Sequence, residues 1–171
     1  MKPGWKQEEE NKLFRKIWDN FEEYILIALY SIIIPLLFIN IIMRYFFSNA
    51  IPWAEEMARY IFLWQIWLGA SYGVKKSKHI RIDMIFNKLS KNAVYNLENI
   101  ITVICLCFCV FIAFRGNELV SNIFKLGQLS SALRLPMGYP YLSVPVGSGL
   151  MAVRYLEKLF ENIKMYKLEV Q

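Results

Sequence analysis

The stretch Tyr24–Met43, YILIALYSIIIPLLFINIIM, decides the fold. Its 20 residues carry no charge. At ~1.5 Å per residue it is ~30 Å long as a helix, the thickness of a bilayer's hydrocarbon core. Backbone groups in lipid must satisfy one another, so such a run predicts a membrane-crossing helix. Pro35 lies inside it and predicts a kink, which membrane helices tolerate. Ser48-Asn49-Ala50 downstream has the small residues of a signal-peptide cleavage site. The run nevertheless exceeds the ~7–15 apolar residues of a signal peptide, and Arg44 intervenes, so it reads as an anchor.

Three more runs follow. Residues 53–74 are apolar except for Glu55, Glu56 and Arg59 near their start. Residues 100–114 are uncharged and reach spanning length if the helix begins at Val94, with Glu98 at the headgroups. Residues 137–153 are uncharged but interrupted by Pro140 and Pro145. The expectation is one all-α membrane domain over 1–171. Its four spans are placed at about 24–43, 53–74, 94–114 and 137–153.

Composition agrees. The 171 residues are 56% hydrophobic and 20% charged, against ~45–50% and ~25% in soluble domains. Mean hydropathy is +0.31. A disordered chain is excluded by the hydrophobicity, and a collagen-like one by the scarcity of Gly (8) and Pro (6). The net charge of +6 also suits nucleic acid. Here, however, Lys and Arg lie between apolar runs, so no nucleic-acid partner is expected. Fifteen of the 20 fall in residues 1–23, 75–99 and 154–171. Four spans put those segments on one side, which predicts cytoplasmic N and C termini.

Amphipathic segments flank the spans. Leu13, Phe14, Ile17, Trp18 and Phe21 recur at helical spacing among Lys12, Arg15, Lys16 and Asp19. Residues 11–23 therefore read as a helix lying in the inner interface. Ile80, Ile82, Ile85 and Leu89, and in the tail Leu156, Leu159, Phe160 and Ile163, repeat the idea. Plain extension of the membrane helices is the alternative for all three.

The charged block Trp53-Ala-Glu55-Glu56-Met-Ala-Arg59 lies within two turns of the start of a span. A charge at a helix centre costs ~2.5–3.5 kcal/mol on insertion scales, and less near an interface. Arg59 is four residues from Glu55 and three from Glu56, so either acid can pair with it. Three readings stand: a self-satisfied interfacial cluster with Trp53 as belt anchor, a polar contact to a partner subunit, or a proton or ion site. Arg44, at the outer end of the first span, snorkels to the interface or joins the cluster.

Other residues point to no chemistry. His79 is the only histidine and lacks metal-ligating companions. Cys105, Cys107 and Cys109 share one apolar run, which is no disulfide framework. Gly69-Ala-Ser-Tyr-Gly73 has small-xxx-small spacing and suggests a face packed on protein. Phosphate-loop, zinc-protease and nucleophile-elbow motifs are absent. An enzyme, a cofactor and a metal site are not expected.

Trp53-Ala-Glu-Glu-Met-Ala-Arg59, Gly69-Ala70 and His79-Ile-Arg81-Ile-Asp83 together resemble the DctQ-like small membrane subunit of tripartite ATP-independent periplasmic (TRAP) transporters. A looser similarity covers residues 135–147, with Pro136, Pro140 and Pro145, and looks like the lead-in to that family's last span. Arg44 fits the basic residue that closes the family's first span. The resemblance covers about residues 20–155.

What the resemblance implies is a scaffold. In that family a periplasmic binding protein delivers an organic acid, such as sialic acid or a C4-dicarboxylate. A large membrane subunit carries it inward with sodium by an elevator movement. The small subunit packs on the large one in the bacterial inner membrane, surrounded by lipid. The alternative is a self-contained, homo-oligomeric carrier or channel.

Overall fold

The structure, a computed structural model, describes residues 4–76 and 91–169, with side chains described over 20–76 and 93–164. Among the described residues five helices follow one another: α1 Gly4–Phe46, α2 Pro52–Lys76, α3 Lys91–Lys125, the short α4 Gly138–Tyr141, and α5 Ser143–Glu169. Among the described residues the only pairing outside helices is an isolated antiparallel bridge, Leu129 with Pro136.

Helix α1 carries 11–23 and 24–43 in one unbroken element that continues through Pro35. The amphipathic segment is thus a direct extension of the first apolar run. The apolar run 137–153 divides. Residues 138–141 form α4, and α5 begins only at Ser143 and extends to Glu169. Pro145 falls in the first turn of α5, where a missing N–H costs nothing.

The four long helices lie side by side in the order α1, α2, α5, α3, with α4 wedged against α2, α3 and α5. The outer two contain the stretches Asn20–Phe46 and Ala93–Lys125, which are long and apolar enough to cross a membrane. Only 11% of the most apolar window of each is buried within the chain. They are therefore not core helices of a soluble fold, and their apolar surface requires lipid or another protein. Of the four expected spans, α2 and α5 are less apolar for a structural reason. They form the middle of the row and bury polar groups there: Glu56, Gln65 and Ser71 from α2, and Ser143, Ser148 and Arg154 from α5.

Glycine sets the closeness of that middle pair. A Cβ at Gly147 would collide with the Cβ of Trp67 and lie 3.1 Å from its carbonyl carbon. Among the described residues, a Cβ at Gly69 or Gly73 would meet nothing within 4 Å. The close contact between α2 and α5 comes from the α5 glycine. The two glycines of α5 should respond in opposite ways. Gly147→Val is expected to cost about 3 kcal/mol, because Trp67 presents backbone that has no rotamer to escape into. Gly149, which has nothing within 4 Å, should accept Ala with a gain of about 0.5–1 kcal/mol from helix propensity. Thermal unfolding of both variants in mild detergent measures the contrast.

Candidate functional site

Charged side chains gather at both ends of α2. At its N-terminal end the turn 47–51 reverses the chain from α1. The Asn40 Oδ1 accepts the Ile51 N–H at 3.0 Å, and its Nδ2 lies 3.5 Å from Glu55 Oε1. The Arg44 Nη1 also donates to that oxygen at 3.3 Å. Both partners are about half exposed, at 58% and 46%, so the pair contributes ~0–1 kcal/mol.

Glu56 points elsewhere. Successive helix residues diverge by ~100°, so two adjacent acids cannot serve one partner equally. The Glu56 carboxylate is buried and accepts four hydrogen bonds. The Tyr60 hydroxyl donates at 2.6 Å, and the backbone N–H groups of Ser131, Ala132 and Leu133 donate at 3.2, 2.8 and 2.8 Å. Three consecutive N–H groups turned on one anion make a backbone nest. The connection from α3 to α4 is shaped for it. Its Ser130 N–H reaches the Leu135 carbonyl at 2.8 Å, and Met137 N–H the Gln128 carbonyl at 2.9 Å. The Leu135 N–H returns to Ser130 Oγ at 3.1 Å. Arg134 turns the loop at φ +56.

Arg59 pairs with neither acid. It is exposed and makes no ion pair among the described residues. Trp53 is 48% exposed beside the cluster. The structure therefore brings Arg44 and Glu55 together, ties Glu56 to the loop, and leaves Arg59 at the surface.

Sequence reasoning missed the cluster at the other end of α2. Glu22 of α1 is fully buried, and its Oε1 accepts from Ser71 Oγ of α2 at 2.7 Å and from Arg154 Nε of α5 at 3.2 Å. Arg154, 4% exposed, also donates through Nη1 to Glu157 at 2.8 Å. Next to it, the Tyr72 hydroxyl donates to Glu23 at 2.8 Å. One carboxylate thus joins three helices. The signal was available: an acid just before the first apolar run and an arginine just after the last one meet at the same end of α2.

The prolines of the lead-in to α5 act through their carbonyls and rings. Pro136 forms the bridge with Leu129, and Pro140 O accepts from Ser143 Oγ at 2.7 Å. Pro145 abuts the Gly116 position of α3. His79, Arg81 and Asp83 lie outside the described residues. Cys105, Cys107 and Cys109 are free thiols. Among the described residues no three His, Cys, Asp or Glu side chains are grouped to hold a metal.

Fold and charge placement define an all-helical membrane protein whose buried charges join its own elements. The family described as tripartite ATP-independent periplasmic transporters, DctQ component, matches residues 33–165. The chain belongs to this family and is a small TRAP permease subunit. It is 34% identical over 153 residues to the isethionate TRAP transporter permease protein DctMQ of Oleidesulfovibrio alaskensis, covering 85% of this chain and 24% of that one. It is 29% identical over 168 residues to the C4-dicarboxylate small permease protein DctQ of Vibrio cholerae (85% and 72%). It is 28% identical over 158 residues to the sialic acid small permease protein SiaQ of the same species (91% and 89%). The chain thus spans about a quarter of the first relative and most of the other two.

Proposed function

We propose that this subunit is the fixed scaffold of a TRAP-type secondary transporter in the bacterial inner membrane. All four long helices cross the bilayer, and both termini face the cytoplasm. A large sodium-coupled subunit moves against it as an elevator, and a periplasmic binding protein delivers the substrate. The substrate is an organic acid of the kind named for the relatives, such as sialic acid, a C4-dicarboxylate or isethionate.

One observation carries this reading. The buried charges sit in two clamps at opposite ends of α2 and join elements of the same chain. Glu56 and Ser71 are fifteen residues apart, ~22 Å along the helix. One clamp ties the α3–α4 loop to α2, and the other ties α1, α2 and α5 together. A body braced near both faces of a ~30 Å core resists shear, as the still part of an elevator must. The charge distribution supports the orientation, since fifteen of 20 Lys and Arg fall on the proposed cytoplasmic side. The relative named DctMQ, of which this chain covers 24%, supports a larger membrane partner.

The test is a mild-detergent pull-down of the tagged chain from its native membrane, read by mass spectrometry. A stoichiometric, larger polytopic partner is expected, and substrate uptake in liposomes only when that partner and the binding protein are present. A clean homo-oligomer that transports unaided would overturn the scaffold reading.

A further inference from the structure

A groove of about 520 Å³ opens between α1 and α2, and nothing in the scaffold role uses it. Its floor is apolar: Ile33, Leu37 and Ile41 from α1, and Ala58 and Phe62 from α2. Its rim is polar and charged: Asn40, Arg44, Glu55 and Arg59. The charges do not cancel. Glu55 is engaged by Arg44 at 3.3 Å, and the Arg44 guanidinium also lies 5.8 Å from the Tyr45 ring centre. Glu56, the other acid nearby, is closed off by Tyr60 and the loop amides. Arg59 is left as a net positive charge at the head of an apolar trough.

We propose that this groove binds one anionic phospholipid, with the phosphate on Arg59 and an acyl chain along Leu37, Phe62 and Ile33. Length and depth agree. Arg44 and Glu55 are level at the rim, and Arg59 lies four residues, ~6 Å, deeper along α2, so of the ~16 Å from Arg44 to Ile33 about 10 Å is left below the phosphate for the upper part of an acyl chain. Arg59 is seven residues from the start of α2, ~10 Å along the helix, a depth from which a long arginine reaches the headgroups. Guanidinium pairs well with phosphate oxygens. The lipid would fill the gap between α1 and α2 below the Arg44–Glu55 pair and stiffen the edge of the scaffold.

This inference rests on α1 and α2 crossing the bilayer, and it fails separately from the scaffold reading. The subunit is purified in mild detergent with whatever co-purifies, stripped of loose lipid, and offered phosphatidylglycerol, phosphatidylcholine or soluble glycerol 3-phosphate. Native mass spectrometry then counts bound lipid. Phosphatidylglycerol should be held about tenfold more tightly than phosphatidylcholine, the scale of one charge-assisted pair. Arg59→Gln should erase that preference, and Arg59→Lys should restore most of it. Ala58→Trp, which fills the floor, should reduce both lipids. Arg115→Gln, on exposed α3 surface, should change nothing. Equal binding of the two lipids, or an unchanged Arg59→Gln protein, overturns the proposal. So does displacement by glycerol 3-phosphate, which would mark a plain anion site. Cross-linking of Arg59→Cys to a large-subunit helix without retained lipid would mark a protein interface instead. A pull-down lacking the large subunit would leave a positive lipid result standing.

Discussion

Arg154→Met should destabilise the subunit by about 3–5 kcal/mol, the usual penalty for removing one partner of a buried ion pair. The Arg154 and Glu22 side chains are 3% and 0% exposed, so solvent cannot take over. With the guanidinium gone, Glu22 Oε1 retains Ser71, while Oε2 has no hydrogen-bond partner among the described residues to begin with. A carboxylate left in that setting has one hydroxyl donor and no cation beside it, which is the source of the cost. The double variant Glu22→Leu/Arg154→Met removes both charges and should recover most of the loss, because apolar replacements of buried pairs are often neutral. Ser71→Ala removes one hydroxyl donor and should cost only about 1 kcal/mol. Arg115→Met serves as the control, because its pair with Glu118 is exposed at 67% and 62% and worth little. Thermal unfolding in mild detergent ranks the four. If the double variant is no better than Arg154→Met, the pair does not act as a unit.

The sequence made the helices legible but not all of their limits. Uncharged runs located α1 and α3 because membrane-length apolarity is a strong signal. Whether residues 11–23 lay in the interface or continued the span could not be read from periodicity, which is the same in both cases. In the structure α1 runs unbroken from Gly4 to Phe46, and no Gly or Pro falls between Lys6 and Ile34. At the other end, Pro140 and Pro145 were visible as interruptions. That α5 starts at Ser143 follows from Pro145 suiting a first turn better than a helix interior.

The site was legible as a place more than as an arrangement. The i, i+3 and i+4 rule put Arg59 opposite Glu55 and Glu56. The structure gave Glu55 to Arg44, eleven residues away, and Glu56 to amides 75 to 77 residues away. Backbone donors leave no trace in a residue pattern, so local spacing could not compete with them. Arg154 was read as a topology charge, and Glu22 was given no role. Neither showed that the two ends of the chain meet. The resemblance carried by residues 53–59 proved the surest guide, since the family match spans 33–165.

Glu56→Ala should open the α3–α4 connection. The carboxylate supplies the acceptor for three consecutive N–H groups, and hydrogen bonds to a charged group are worth ~1.5–3 kcal/mol each in isolation. They share one anion, so their sum is not additive, and a net loss of roughly 3 kcal/mol is expected. That corresponds to about 100-fold faster amide exchange at Ser131, Ala132 and Leu133 if the loop opens locally. Glu56→Gln is the sharper probe. It keeps the length and one acceptor oxygen but turns an NH₂ toward donors: Ser131 N–H and the Tyr60 hydroxyl share one carboxylate oxygen, Ala132 and Leu133 N–H the other, and the amide can serve only one of the two sets. Its exchange rates should fall between wild type and Glu56→Ala. Tyr60→Phe removes only the 2.6 Å donor and should leave the loop amides protected while costing about 1 kcal/mol. The order wild type, Tyr60→Phe, Glu56→Gln, Glu56→Ala in loop exchange is specific to a carboxylate held in a backbone nest. If Glu56→Ala leaves those three amides as slow as in wild type, the loop keeps its shape by its own Ser130–Leu135 and Gln128–Met137 bonds, and Glu56 does no more than lie against it.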